Sequence, residues 1–261
     1  MLNVRTWSKA LCSTTLLSTL VISGGVAAQE WKFSAGLGLY TKNAAWKEID
    51  SQIGVAPLIS ASYGNWQFLK DGLVSYSVLD EDDFGFSVGI NARDGGYDSS
   101  SFLASKSSDA LVFNGYKSPS EEVTIKVNGN WQFLELNLEQ DVSGHSKGLT
   151  ADLGAKFPLL MLDNGFILNA SATVHWQSSD FANYIYGIAG EQIDNSLGRT
   201  AYSLDSVTNY SLGLSGFYKL NKAWNLIASV NYTKLDNAVS DSPLIDNDKV
   251  TGTFVGAVYS F

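Results

Sequence analysis

Between Trp224 and Thr233 every second residue is apolar: Trp224, Leu226, Ala228, Val230 and Tyr232 fall on one face, and Asn225, Ile227, Ser229, Asn231 and Thr233 on the other. Side chains of an extended chain alternate between faces, so this is the pattern of a strand with one apolar side. Three more segments repeat it. Phe166, Leu168, Ala170, Ala172, Val174 and Trp176 oppose Ile167, Asn169, Ser171, Thr173, His175 and Gln177. Tyr210, Leu212, Leu214, Gly216 and Tyr218 oppose Asn209, Ser211, Gly213, Ser215 and Phe217. Trp31, Phe33, Ala35, Leu37 and Leu39 oppose Lys32, Ser34, Gly36, Gly38 and Tyr40.

Alternation alone also suits a soluble sandwich or barrel. The aromatics decide between them, because three of these apolar faces begin and end on one. Trp224 and Tyr232 are eight residues apart, about 26 Å of strand at ~3.3 Å per residue. With a tilt near 40° this covers roughly 20 Å of height, close to the ~25 Å apolar band between the aromatic girdles of an outer-membrane barrel. The opposite faces carry Asn, Ser, Thr, Gly and some charge, too polar for the packed interior of a small soluble domain. The expected fold is therefore an all-β, transmembrane, antiparallel up-and-down β-barrel. Its apolar faces meet lipid, and its interior is polar.

Strand counting gives about twelve strands, within a range of ten to fourteen; an even number places both termini in the periplasm. Ile53 to Tyr63, Phe84 to Ala92 and Leu149 to Phe157 alternate well, whereas Trp131 to Asp141 mixes its faces. Phe254 and Val258 lie on the face opposite Phe261, which predicts bulges or a partly plugged interior there. Short hairpin turns are expected at Gly64-Asn65, Gly129-Asn130, Asp163-Asn164-Gly165 and Leu220-Asn221-Lys222. The string Gly-Asn-Trp-Gln-Phe-Leu occurs twice, at 64–69 and 129–134, and reads as one turn-and-girdle solution used twice. The polar stretches 42–52, 94–108, 178–202 and 235–249 are expected as loops on one side of the wall.

Both chain ends fit this picture. Residues 1–28 read as a cleaved export signal: Arg5 and Lys9 precede an uncharged, largely apolar stretch, and Val26-Ala27-Ala28 supplies small residues for a peptidase. Residues 29–261 are then the barrel. They hold no cysteine, since the single one is Cys12, which excludes disulfides, thiolate catalysis and Cys-based metal sites. Tyr259 and Phe261 form the aromatic ending read by the barrel assembly machinery. Without Arg5 and Lys9 the 17 basic residues fall to 15 against 26 acidic ones, a net charge of −11. That balance argues against nucleic acid or anionic lipid as a partner.

Candidate chemistry is sparse. The two histidines are His145, in Asp141-Val-Ser143-Gly-His145-Ser146, and His175 on an inner face. Asp141, Ser143, Ser146 and His145 could imitate an activated-hydroxyl set, but they also suit a turn whose polar side chains bond locally. The turn is the favoured reading. Asp80-Glu-Asp-Asp83 reads as a solvated connection in preference to a calcium site. Gly-x-Ser-x-Gly elbows, metal-spaced His pairs and phosphate loops are absent from the sequence, so no catalytic residue, cofactor or metal is expected.

Read in order, Asp141-Val-Ser143-Gly144-His145-Ser-Lys-Gly148, His175-Trp176-Gln-Ser-Ser-Asp-Phe-Ala-Asn-Tyr184-Ile-Tyr186-Gly187 with Glu191, Ala201-Tyr202, Ala223-Trp-Asn-Leu226, Asp241-Ser242-Pro243-Leu244 and Tyr259-Ser-Phe261 resemble the MltA-interacting protein / OmpV family of outer-membrane barrels. The resemblance is strong from about residue 130 onward and loose before. Ile185 interrupts the family's usual tyrosine run. Membership implies a Gram-negative outer-membrane protein in contact with lipid, without known catalysis. One relative looks like a scaffold for murein-cleaving and murein-synthesising periplasmic enzymes, and others are associated with adhesion. The expected function is thus a non-enzymatic scaffold or adhesin-like barrel. A small-solute pore, motivated by Lys32, Arg93, Asp152 and Lys156 on inner faces, is the alternative, and a lipid-modifying enzyme using His145 or His175 the least favoured.

Overall fold

The computed structural model describes residues 30–49, 51–70, 72–93, 95–97 and 110–261. The expected signal segment and its cleavage point lie outside them. Twelve strands follow one another: β1 (Trp31–Lys42), β2 (Gln52–Tyr63), β3 (Trp66–Phe68), β4 (Val74–Asp80), β5 (Phe84–Arg93), β6 (Glu122–Trp131), β7 (Leu134–Asp141), β8 (Leu149–Met161), β9 (Phe166–Gln177), β10 (Val207–Lys219), β11 (Trp224–Lys234) and β12 (Lys249–Ser260). Each pairs antiparallel with its sequence neighbour, and β12 returns to β1 to close the barrel. The closing seam runs from Ser34 opposite Ser260 to Lys42 opposite Gly252. The Phe261 N–H extends it, donating to the Phe33 carbonyl at 3.0 Å.

The alternation sorts as the sequence predicts. Leu226, Ala228 and Val230 are exposed, while Asn225, Ser229 and Asn231 between them are half-buried. Leu37 and Leu39 are 64% and 62% exposed, a cost that only a lipid surround removes. Pro158 sits at a register shift in β8, where a missing N–H does least harm to the ladder. At the short-turn end Trp31 packs on Tyr63 at 5.1 Å, Trp224 on Tyr259 at 5.3 Å and Tyr259 on Phe261 at 4.8 Å. These rings form one girdle.

One expected turn is displaced. Gly129 and Asn130 lie within β6, and the hairpin turns at Gln132-Phe133, with Trp131 opposite Leu134. The mixed faces of Trp131 to Asp141 come from this: the segment is the end of one strand, a turn and the next strand. Asp80 ends β4, and the acidic run forms the β4–β5 turn, where the Glu81 N–H donates to the Phe84 carbonyl at 2.9 Å.

The wall is uneven. β3 has three residues, and its last pair with β2 is Phe68 opposite Ala61. β4 meets β5 no further up than Val74 opposite Ile90. Among the described residues, no strand pairs with Gln52–Ser60 on the side away from β1.

The long connections gather at the other end. They carry helix α1 (Ser179–Tyr186), helix α2 (Asn237–Ser240) and short turns at Leu111–Phe113, Gly190–Gln192 and Asn195–Leu197. Their apolar residues form two clusters. One joins Ala110, Val112, Phe113, Tyr116, Ile188 and Leu244, and the other joins Ala182, Leu204, Val207, Leu235, Val239 and Ile245. Trp46 touches both. The result is a packed cap over one mouth of the barrel.

Candidate functional site

Cap and wall are joined through Arg93, the last residue of β5. Its Nε donates to Glu122 Oε2 at 3.0 Å, one Nη to the Thr150 hydroxyl at 3.0 Å, and the other to the Gly148 carbonyl at 3.1 Å. The guanidinium lies 4.1 Å from the centre of the Phe181 ring on α1. Glu122, 2% exposed, accepts on its other oxygen from the Ser146 N–H at 2.9 Å. A buried ion pair contributes only when its remaining bonding capacity is met, and here five elements supply the partners. Below it, Glu139 accepts from Asn91 at 3.2 Å and from Thr124 at 3.2 Å, with Lys126 at 3.9 Å.

Asp141 to Gly148 is the turn above β7. Asp141 accepts from the Ser143 N–H at 2.8 Å, the Ser143 hydroxyl at 2.6 Å and the Lys147 N–H at 2.8 Å. Gly144 takes φ 79°, open to glycine at little strain. His145 Nδ1 is 2.9 Å from the Glu121 carbonyl, so it carries the proton and donates there. It is then no base for Ser143, 3.3 Å away, whose own proton goes to Asp141. Ser146 accepts from the Gly148 N–H at 2.9 Å. The four side chains hold a loop. Gly148 leaves room for Phe181, whose Cβ and backbone occupy the place a Cβ at Gly148 would take.

The second motif builds α1. Ser178 caps it, accepting from the Phe181 N–H at 3.4 Å, and Trp176 lies on the outward face of β9. The Tyr184 hydroxyl bonds both backbone groups of Ser120, at 2.7 and 3.0 Å. Tyr186 stacks on Trp46 at 5.7 Å, and its carbonyl accepts from the Ser242 hydroxyl at 2.7 Å. Tyr202 donates to the Ala238 carbonyl at 2.6 Å. Pro243 leads into Leu244, which is fully enclosed. Gly187 ends α1 against the backbone of Asn183, and Glu191 is exposed on the Gly190–Gln192 turn. Ile185, the interruption in the tyrosine run, is 3% exposed and fills the space beside Gly95. Burial pushes the Tyr116 and Tyr186 phenols up to about 12, so both are neutral packing groups.

A second constellation lies in the lumen. Asp152 on β8 bonds His175 Nδ1 at 2.7 Å, His175 Nε2 meets the Ser211 hydroxyl on β10 at 2.8 Å, and Ser211 meets Thr233 on β11 at 2.7 Å. This is an acid–imidazole–hydroxyl chain across four strands. The backbone on either side of Ser211 is engaged in ladders with β9 and β11, so the wall offers no free pair of N–H groups for an oxyanion.

The family model for the MltA-interacting protein MipA matches residues 33–261. The chain belongs to this family. The MltA-interacting protein of Escherichia coli (strain K12) is 24% identical over 259 residues, covering 97% of this chain and 98% of its own. Outer membrane protein OmpV of Vibrio cholerae serotype O1 is 24% identical over 234 residues, with 88% and 86% covered. Among solved structures, an outer membrane channel from Pseudomonas putida F1 aligns at 10% identity and a TM-score of 0.42, covering 93% of this chain and 100% of that one. The protein is accordingly a Gram-negative outer-membrane β-barrel.

In this MipA-family chain the residues that carry the resemblance are mostly cap residues. Tyr259 and Phe261, at the opposite end, stand in the seam and girdle. In the sequence Arg93 stands out only as an inner charge, Phe181 and Asn183 lie within the 175–187 motif without a role of their own, and nothing singles out Glu122. An N-cap serine before Ser-Asp-Phe was a helix signal available at 178–181. Asn183 bonds both backbone groups of Leu204. Together with Gly187, Ile188, Gln192 and Tyr202 it lines a surface cavity of about 390 Å³.

Proposed function

We propose that the protein works from the cell surface through its cap, as an adhesin-like barrel with no catalytic step of its own. The observation that carries this is the unequal dressing of the two mouths. Residues 110–121, 178–206 and 235–248 build a packed structure with a recessed surface, whereas the turns at the other end have two to four residues. Outer-membrane barrels place long loops outside and short turns in the periplasm. The motif serine and histidine are spent on the Asp141–Gly148 turn, which supports a binding role over hydrolysis. Cells displaying the protein are expected to adhere to a matrix-protein-coated surface better than cells displaying a variant with 178–206 replaced by an Asn-Gly turn. Equal adherence would overturn the reading.

The name MltA-interacting protein among the relatives favours a second reading, in which the periplasmic rim docks a murein enzyme. Cross-linking in intact envelopes, followed by pull-down, tests it: no enrichment of a murein transglycosylase removes it. A solute pore has less support, because α1 reaches Arg93 at the mouth and Tyr40, Leu58 and Phe254 occupy the lumen. Planar-bilayer recordings are expected to be silent.

A further inference from the structure

We infer that the wall holds a lateral site for the hydrocarbon chain of a membrane amphiphile, entered from the outer leaflet between β2 and β5 and floored by Leu58, Tyr40 and Phe254. The inference goes beyond the surface reading and shares with it only the orientation that puts the long connections outside.

The opening follows from the register. Above Phe68 and Val74, β2 continues through Gln52–Ser60 and β5 through Asn91–Arg93, with no paired strand between them among the described residues. Among the described residues, the backbone groups of β2 left without a strand partner can be named. The Asn43 N–H donates to Thr251 on β12, so odd residues of β1 bond β12 and even residues bond β2, where they meet Gln52, Gly54, Ala56, Leu58 and Ser60. The intervening Ile53, Val55, Pro57 and Ile59 aim their backbone groups at the opening. An incoming strand would need these groups, and Pro57 interrupts them by lacking an N–H, a common way of blunting an edge.

Open sheet edges are not stable against bare hydrocarbon, so the edge must line a cavity or meet a polar partner. An ester, amide or hydroxyl of an amphiphile meets the Ile53, Val55 and Ile59 groups, and its chain requires an apolar bed. The lumen provides one here. Gly36, Gly38, Gly54, Ala56 and Gly256 line the inner faces of β1, β2 and β12. Phe254 lies over Gly38 and Gly256, Tyr40 over Gly54, and Leu58 against Gly256. The β5 lip presents Asn91 and Arg93, and the lumen beyond it presents Glu122, Lys126, Glu139, Asp152 and His175. The apolar sector therefore lies along the β2 side of the opening, with the polar lip of β5 facing it. Outside, Ile53 is 71% exposed and Ile90 45%, continuous with the lipid-facing band.

Residues 29–261 lack cysteine, so single cysteines can carry a bimane fluorophore in the full mature chain. Leu58→Cys, lumen-facing at the opening, is compared with Leu226→Cys, lipid-facing, and Ser229→Cys, lumen-facing behind intact wall. Each is refolded into vesicles of phosphatidylcholine brominated on its acyl chains, and folding is checked by heat modifiability. Quenching at Leu58 is expected to match Leu226 and to exceed Ser229 several-fold. Ala56→Cys replaces Leu58→Cys if the latter does not fold. A Leu58 or Ala56 signal as unquenched as Ser229 overturns the site. Cross-linking of Val55→Cys between two copies also overturns it, since the edge would then hold a second chain.

Discussion

In the wall, Leu226, Ala228 and Val230 point outward and depend on what surrounds the protein. In the cap, Ala182, Val239 and Leu244 are wholly enclosed by their own chain. The first set is stabilised by hydrogen-bonded closure inside an apolar solvent, and the second by packing of the kind found in soluble domains. Damage should therefore be read differently in the two places. In the wall, position relative to the seam and the girdles decides the cost; in the cap, the volume removed does.

The largest expected effect is at the seam. Deleting Phe261 removes the bond to Phe33 and the ring beside Tyr259, and a seam left open exposes backbone groups at several kcal/mol each. Little heat-modifiable, folded protein should be recovered from membranes; normal amounts would show that the seam does not govern assembly. In the cap, Leu244→Ala should cost about 2–5 kcal/mol by cavity formation. It should open the cap to protease and shift Trp46 emission while the barrel keeps its heat-modifiable mobility. If the barrel also melts, wall and cap are one cooperative unit and the contrast fails.

Charge scanning along β11 sharpens the comparison. Arg at Ala228 should cost about 2–4 kcal/mol and Arg near Trp224 or Tyr232 about 0–1, with Ser229 tolerating charge better if the interior is wet. A flat profile of refolding yield would remove the lipid-facing assignment. The smallest effect is alkaline. The Tyr116 and Tyr186 phenols rise from 10.0 to about 12 on folding, so they favour the neutral, folded cap. Their contribution is complete below pH 10 and is lost as the pH climbs toward 12. Protease sensitivity of the cap should grow across that window; a pH-independent cap would contradict it.

The wall was legible because lipid enforces a strict rule on every second residue. Its turns were less so. Gly-Asn-Trp-Gln-Phe-Leu turns at Gly64-Asn65 in its first copy, with Tyr63 opposite Trp66, and at Gln132-Phe133 in its second, with Trp131 opposite Leu134. Leu134, Leu136 and Leu138 downstream must face lipid, and that requirement outweighs the local preference of Gly-Asn. The candidate set around His145 was adjacent in sequence, and the structure uses it as a turn. Asp152, His175 and Ser211 meet through the register of separate strands, which no spacing announces. The cap was legible only through the family motifs, because its packing unites segments with no common period.

The bridge between Trp46 and Ile245, with the Lys47 N–H on the Leu244 carbonyl at 2.9 Å and the Asp246 N–H on the Ala45 carbonyl at 2.9 Å, ties the first long connection to the last. These residues are far apart along the chain and meet only after β12 has come round to β1. Contacts of such long range form late, since loop-closure entropy opposes them until the intervening structure exists. The strap is thus a timekeeper: protection of the Trp46 region, followed during refolding, marks the moment at which the circle is complete.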